Sequence, residues 1–171
     1  MPSLIIREMQ EKDIESLVKN FYFPWSSQQA TTFKWQQYYK EHQNHIRTVY
    51  LLENEGEIIG YGSLLKASDY SYFKESEIPE INDVWISENF RKKGFGKKLI
   101  LHIESEARKR GYSEIGLGVG LYADYGNAQK LYFQIGYKPN GKGITYKTVQ
   151  VVPGEKYAID DDLILWLTKK L

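Results

Sequence analysis

Apolar and polar positions recur along this chain with two periods, one typical of strands and the other of helices. Alternating or continuous apolar runs predict strands over residues 4–9, 46–53, 57–66, 78–87, 113–121, 137–151 and 163–167. Apolar residues at helical spacing predict helices over residues 11–21, 26–42, 94–110 and 127–135. Asn54-Glu55-Gly56 joins two of the strands and predicts a β-hairpin. The polar stretch from Ala67 to Ser76 is predicted to be a loop.

Capping residues and glycines mark several of the predicted ends. Ser26-Ser27 provides an N-cap for the second helix, while Gly111 and Gly136 stand where helices commonly end. Gly60 and Gly62 lie inside a strand and predict a bulge or a close backbone approach. Asn140-Gly141 predicts a turn within the region 137–151.

The predicted order of elements is β-α-α-β-β-β-α-β-α-β-β, without an internal repeat or a low-complexity linker. Strands interleaved with helices are typical of an α/β fold with a mixed sheet flanked by helices. The length of 171 residues fits one domain. We therefore predict a single domain over residues 1–171, in which the apolar run from Leu163 to Leu167 is a central, buried strand.

Composition restricts the classes of function. Apolar residues make up 42% of the chain and charged residues 26%, as in ordinary globular proteins. The net charge of +1 argues against general nucleic-acid binding. The absence of cysteine excludes disulfides, thiolate zinc sites and a cysteine nucleophile, and no metal site is predicted. Without a signal peptide or an apolar run of membrane-spanning length, we expect a cytoplasmic protein that does not enter membranes.

Positive charge is concentrated in one loop. Five of the eight residues from Arg91 to Lys98 are basic, and this loop connects the strand Val84-Trp85-Ile86 to a helix. Gly94 and Gly96 let backbone N–H groups turn toward an anion at the helix N-terminus, where the helix dipole adds positive charge. The loop is therefore predicted to bind phosphate.

Two common phosphate loops do not match this segment. A nucleoside-triphosphate loop ends in Gly-Lys followed by Ser or Thr, whereas this one ends Gly96-Lys97-Lys98. A dinucleotide loop has a third small residue where this chain has Leu99.

Two motifs resemble the hallmarks of the GNAT superfamily of N-acetyltransferases. The pattern Arg-x-x-Gly-x-Gly over 91–96 is similar to the family's coenzyme A signature. The segment Asn127 to Tyr137 is similar to its second hallmark, with Leu-Tyr-x-x-x-Gly-Tyr matching in full. The motifs stand in the family's order, although Lys92-Lys93 replaces a glycine found in many members. The resemblance implies a mostly antiparallel mixed sheet and acetyl transfer from acetyl-CoA to a primary amine.

The resemblance also implies which residues bind the cofactor. The family's strand before the glycine loop splays from its neighbour and pairs with the pantetheine arm, and here it corresponds to Val84, Trp85 and Ile86. Asn127 corresponds to an asparagine that contacts the cofactor, although a helix N-cap would also explain it. Lys93, Lys97 or Lys98 could meet the 3′-phosphate. The pyrophosphate would be held by Arg91, Lys92, Lys93, Gly94, Phe95, Gly96 and Lys97.

Two further residues are implied in catalysis. Tyr132 corresponds to the tyrosine that protonates the departing sulfur, with core packing as the alternative. Glu80 lies where several members have the glutamate that deprotonates the amine, often through water. Asp83 and water are rivals for that role. Alternation along the strand places Glu80 and Asn82 on one face and Asp83 on the other.

The acceptor is expected to be an amine on a small molecule or a peptide, which the sequence does not specify further. A homodimer is compatible with the sequence. The main alternative to an acetyltransferase is a non-catalytic coenzyme A-binding sensor on the same scaffold. A nucleic-acid-binding module that uses the basic loop is the other alternative, and the net charge argues against it.

Overall fold

The computed structural model describes residues 4–171, so Met1 to Ser3, which the single-domain prediction includes, lie outside the described residues. The strands are β1 Leu4–Glu8, β2 Arg47–Asn54, β3 Glu57–Leu65, β4 Glu80–Ile86, β5 Glu114–Gly120, β6 Lys138–Tyr146, β7 Val149–Gln150 and β8 Leu163–Lys170. The α-helices are α1 Asp13–Asn20, α2 Gln28–Gln43, α3 Ser71–Glu75, α4 Phe95–Lys109 and α5 Gly126–Gln134. Short 3₁₀ helices cover Glu88–Phe90 and Ala123–Tyr125.

The strands form a mixed sheet in the order β1-β2-β3-β4-β5-β8-β6-β7. The pairs β1–β2, β2–β3, β5–β8, β6–β8 and β6–β7 are antiparallel. β4 and β5 pair in parallel, with Glu80 opposite Gly116 and Ile81 opposite Leu117. The predicted fold class, a mixed and mostly antiparallel sheet with flanking helices, is confirmed. β8 pairs on both sides and buries Trp166 and Leu167, which confirms its prediction as a central strand.

The described residues pack as two compact units. The first unit comprises residues up to Lys66 together with Asn82–Ser105. Its core lies between the apolar faces of α1, α2, β2 and β3. The fully buried residues of this core include Leu17, Trp35, Val49, Leu51 and Tyr61. The predicted N-cap of α2 is confirmed, since the Ser27 hydroxyl accepts a hydrogen bond from the Ala30 N–H at 3.0 Å.

A bulge and a close backbone approach explain Gly60 in β3, whereas a Cβ atom on Gly62 would lie 3.2 Å from the Ile103 side chain and 3.3 Å from that of Val84. The register between β2 and β3 shifts where Leu52 pairs with Gly60 and Glu53 pairs with Ile58. A Cβ atom on Gly60 would lie 2.8 Å from the Trp85 carbonyl oxygen and 2.6 Å from the Ile86 side chain. Only glycine allows that approach, so the prediction for this position is confirmed.

The second unit comprises Ala67–Ile81 and Glu106–Leu171. Its aromatic core contains Tyr70 stacked on Trp166 at 4.3 Å and Phe73 against the same indole at 5.3 Å. A Cβ atom on Gly116 would lie 2.3 Å from the Phe73 ring. This contact explains why position 116 of the buried strand β5 is a glycine.

Two local predictions were wrong. The segment from Ala67 to Ser76 contains α3, because Phe73 is buried in the aromatic core and holds one helical turn in place. Asn140-Gly141 does not reverse the chain but lies in a register shift of β6 against β8. The reversal comes at Lys147, whose φ of 58° joins β6 to β7.

Candidate functional site

The predicted phosphate loop follows β4 in the first unit. After Ile86 the chain passes through the 3₁₀ helix and reaches α4, which begins at Phe95. Lys92 and Gly94 both have left-handed backbones, with φ of 59° and 82°. Left-handed residues ahead of a helix turn successive N–H groups toward one point, which makes a concavity for an anion. The left-handed backbone at Gly94 agrees with the sequence prediction, whereas the second left-handed residue is Lys92 and not Gly96.

The loop's positive charges are available to a ligand. Lys92, Lys93, Lys97 and Lys98 are exposed, and within residues 4–171 none of them pairs with a carboxylate. Arg91 is held differently. Its Nε donates to the Ile86 carbonyl oxygen at 2.8 Å, and its guanidinium lies 4.5 Å from the centre of the Trp85 ring. The loop thus combines one cation held by the protein with four exposed lysines, of which Lys93 and Lys98 lie over the rings of Phe90 and Phe95.

The two glycines of the loop have different roles. A Cβ atom on Gly94 would meet no protein atom within 4 Å, so packing does not require glycine there. The left-handed backbone favours glycine, and the space beside it is open to a ligand. Gly96 lies instead in the first turn of α4, among the N–H groups that no carbonyl of the helix can satisfy. Such a cradle fits a pyrophosphate.

The side chains of Val84 and Trp85 are used in packing within the first unit. Val84 lies beside Gly62, and Trp85 packs edge-on against Phe23 with ring centres 4.8 Å apart. Recognition by this part of β4 would therefore fall to the backbone.

The predicted alternation along β4 is wrong at Asp83. Asp83 has φ of 49°, a left-handed residue within a strand. Asn82 accepts a hydrogen bond from Arg47 at 2.8 Å, and that guanidinium lies 3.9 Å from the Tyr38 ring centre. Asp83 accepts from the Tyr38 hydroxyl at 3.0 Å. Because the left-handed residue interrupts the pleat, these two neighbours contact the same Arg47–Tyr38 group instead of opposite faces.

Glu80 lies in the second unit at the start of β4 and is buried. Its Oε2 accepts a hydrogen bond from the Ser68 hydroxyl at 2.5 Å, and the Ser68 oxygen in turn accepts the Tyr70 N–H at 3.0 Å. The carboxylate therefore fixes the loop before α3, whether or not it also accepts a proton in catalysis.

Tyr132 is half-buried on α5 in the second unit. Its ring meets Tyr137 edge-on at 5.9 Å, and no residue within 4–171 hydrogen-bonds its hydroxyl. Burial raises the pKa of Tyr132 to about 12, so the phenol keeps its proton at neutral pH. Asn127 is exposed inside α5, whose N-cap is Tyr125, so the N-cap explanation for Asn127 was wrong.

The ion pair of Lys34 was not predicted from the sequence. Lys34 on α2 forms an ion pair with Asp83 at 2.7 Å and lies near the rings of Trp35, Tyr38 and Tyr61. The aromatic richness of α2 pointed to core packing, which is correct for Trp35, but nothing in the local sequence indicated the partner of Lys34.

The part of the chain that the structure describes offers neither a membrane-spanning helix nor a metal-ligand cluster. No helix there has the length and apolar character needed to cross a membrane. No cluster of three or more potential metal ligands occurs among residues 4–171.

Comparison with known proteins agrees with the motifs. A 59-residue segment is 37% identical to the uncharacterized N-acetyltransferase YsnE of Bacillus subtilis, spanning 34% of this chain and only 39% of that relative. The fold matches an IAA acetyltransferase from Bacillus cereus with a TM-score of 0.65 and 21% identity, covering 99% of this chain and 100% of the other.

It also matches RimL, a ribosomal L7/L12 alpha-N-protein acetyltransferase in complex with coenzyme A, with a TM-score of 0.72 and 15% identity, covering 99% and 94% of the two chains. At these identities the structural similarity establishes the fold. The family model "Acetyltransferase (GNAT) family" matches residues 12–137, well over half of the sequence. The chain therefore belongs to the GNAT family of acetyltransferases.

Proposed function

We propose that this protein transfers an acetyl group from acetyl-CoA to a primary amine of a small molecule or peptide, by direct attack of the amine. The loop 91–98 is the observation that carries the proposal, because it offers left-handed backbone, open space at Gly94 and unpaired cations at the start of a helix. A sequence without cysteine suits the cytoplasm as the compartment of the reaction.

The loop residues divide the binding of the cofactor between backbone and side chains. Backbone N–H groups from Lys92 to Lys97, including those of Gly94, Phe95 and Gly96, hold the pyrophosphate, and Arg91 and Lys93 add charge. Lys93, Lys97 or Lys98 meets the 3′-phosphate. The pantetheine arm pairs with the backbone of Val84, Trp85 and Ile86. The side chains of Val84 and Trp85 are occupied in packing, which supports recognition by the backbone. Asn127, exposed on α5, contacts the cofactor.

When bound, acetyl-CoA supplies an activated acetyl thioester. Tyr132 holds a proton on its phenol oxygen and donates it to the sulfur as the bond to the acetyl group breaks. A phenol of pKa about 12 is a weaker acid than an ordinary thiol, whose pKa is about 8.5. Loss of water raises the pKa of a thiol as well as that of a phenol. A coenzyme A thiol that forms in the same surroundings as Tyr132 would therefore differ less from it in pKa than the two values in water suggest.

The amine must lose a proton to become a nucleophile, since an alkyl ammonium has a pKa of about 10.4. We assign that proton to Glu80 through water, with Asp83 or water alone as the rivals. Glu80 is buried and accepts a hydrogen bond from the Ser68 hydroxyl. Asp83, the rival base, forms an ion pair with Lys34 and accepts a hydrogen bond from the Tyr38 hydroxyl.

Two measurements test the proposal. Calorimetry should detect coenzyme A binding, and a panel of amines should release free thiol from acetyl-CoA. Coenzyme A binding without thiol release from any amine would favour the alternative of a non-catalytic sensor. Absence of coenzyme A binding would exclude both functions.

A further inference from the structure

The chain holds one of its own ammonium groups inside a cage of aromatic rings. The Nζ atom of Lys34 lies 5.1 Å from the ring centre of Trp35, 5.3 Å from that of Tyr38 and 5.1 Å from that of Tyr61. It is 2.7 Å from the Asp83 carboxylate and 3.4 Å from the Tyr61 hydroxyl. Three rings and a carboxylate around one ammonium are the features by which proteins recognise alkylammonium ligands.

The walls of this cage are held without help from Lys34. Trp35 and Tyr61 are each 1% exposed and meet edge-on with ring centres 4.7 Å apart. Tyr38 is fixed by its hydrogen bond to Asp83 and by the Arg47 guanidinium 3.9 Å from its ring centre. All these residues belong to the first unit. The cage should therefore persist when the Lys34 side chain moves away.

The mouth of the cage is open to solvent. The Lys34 and Asp83 side chains are 31% and 29% exposed, while Trp35 and Tyr61 behind them are buried. Lys34 reaches the cage on a flexible four-carbon stem, so its ammonium can move out to solvent without movement of the backbone. Burial, followed by the charge of Asp83, raises the pKa values of Tyr38 and Tyr61, so both phenols remain neutral beside a cation.

An ammonium held there is stabilised in its charged form and is not a nucleophile. An ammonium ligand in the cage is therefore not the group that reacts. An acceptor that uses the cage must carry a second amine, which reacts elsewhere. An acceptor that uses the cage is therefore a diamine or a larger polyamine.

We propose that Trp35, Tyr38, Tyr61 and Asp83 form a binding site for the non-reacting primary ammonium of a diamine acceptor, and that Lys34 fills this site in the ligand-free protein. The role of the ligand as acceptor rests on the proposed acetyltransferase function. Binding of an alkylammonium to the cage does not rest on it.

The binding test uses n-butylammonium chloride as the probe and the indole N–H resonance of Trp35 as the readout. In Lys34→Met, which keeps the stem length but removes the charge, the probe should shift that resonance with a saturable curve. Affinity should be about tenfold higher than in the wild type, where the probe must displace Lys34. Adding Asp83→Asn should weaken binding about tenfold. Asparagine tolerates the left-handed backbone of this position, so the fold should be retained.

The neutral probe 1-butanol is the matched control and should leave the resonance unshifted. An equal response to both probes, or no saturable response in Lys34→Met, would overturn the cage as an ammonium site.

A kinetic test addresses the acceptor. Asp83→Asn should raise the ratio of KM for 1,4-diaminobutane to KM for n-butylamine about tenfold, because only the diamine carries a second ammonium for the cage. An unchanged ratio would overturn the assignment of the diamine as the acceptor class. If neither amine releases thiol in the wild type, the acetyltransferase proposal fails for these amines, together with this assignment, while the probe titration still decides whether the cage binds ammonium.

Discussion

The loop 91–98 of the first unit and the α5 tyrosine of the second unit present opposite environments. The loop is exposed, strongly cationic and without carboxylate partners among the described residues. Tyr132 is neutral and half-buried, and its pKa is raised to about 12 by loss of water. Binding a multiply charged ligand requires accessible charge, whereas proton donation requires a group that keeps its proton until it is needed. Substitutions in the two regions should therefore change different quantities, affinity in the loop and turnover at Tyr132.

The largest expected effect is on turnover. Tyr132→Phe removes one oxygen and keeps the ring contact with Tyr137, so coenzyme A affinity should change little. Turnover should fall about 10²-fold, because the leaving sulfur loses its proton donor. Thiol-release kinetics with an accepted amine measures this effect, and Tyr39→Phe, which removes a hydroxyl from a half-buried tyrosine of α2, is the control. Wild-type turnover in Tyr132→Phe, with chemistry rate-limiting, would make Tyr132 a packing residue.

The next effect concerns affinity. Gly94→Val places a branched side chain where the structure leaves open space and forces a left-handed φ of 82° on a β-branched residue. Coenzyme A affinity should fall by at least about tenfold in calorimetry, because the pyrophosphate can no longer approach the backbone.

Gly56→Val controls for backbone strain in this experiment. Gly56 has φ of 83° and equally open surroundings in the β2–β3 turn, so the substitution imposes the same strain away from the loop. Equal losses of affinity in the two variants would remove the loop from the binding site.

A smaller effect comes from individual charges. Coenzyme A affinity should fall as the salt concentration rises. One of Lys93, Lys97 and Lys98 is expected to meet the 3′-phosphate, and its replacement by alanine should lower coenzyme A affinity about threefold to tenfold. That variant should no longer distinguish coenzyme A from dephospho-coenzyme A. Lys109→Ala is the matched control, because Lys109 lies at the other end of α4 and pairs with Glu106 at 2.7 Å. Equal affinity of the wild type for the two cofactors would exclude a lysine contact with the 3′-phosphate.

The smallest expected change is a shift in pH dependence. The rate should rise with pH as the amine loses its proton. Glu80→Gln should move this rising limb of the pH–rate profile toward higher pH, because the amine must then lose its proton without the help of a base. The glutamine oxygen can still accept the Ser68 hydrogen bond, so the loop before α3 should be preserved. Ser68→Ala supplies the complementary control, since it removes that hydrogen bond and keeps the carboxylate. If the limb shifts only in Ser68→Ala, Glu80 positions the loop and is not the base.

Much of the fold could be predicted from local patterns. The hairpin, the capped start of α2 and the helix after the basic loop each depend on residues within a few positions, and the structure confirms them. The helix α3 could not be predicted in this way. Its single turn is stabilised by Phe73 against Trp166, a contact between residues far apart in the sequence.

The sequence by itself determined the type and order of most elements and the chemistry of the loop 91–98, because periodicity, glycine and charge act over short distances. Only the tertiary structure decided the contacts and burial of individual side chains. Left-handed backbone at Asp83 brought it to Tyr38 and Lys34, and burial raised the pKa of Tyr132. The physical reason is that burial and charge pairing depend on partners distant along the chain, such as Lys34 and Asp83, which no local pattern connects.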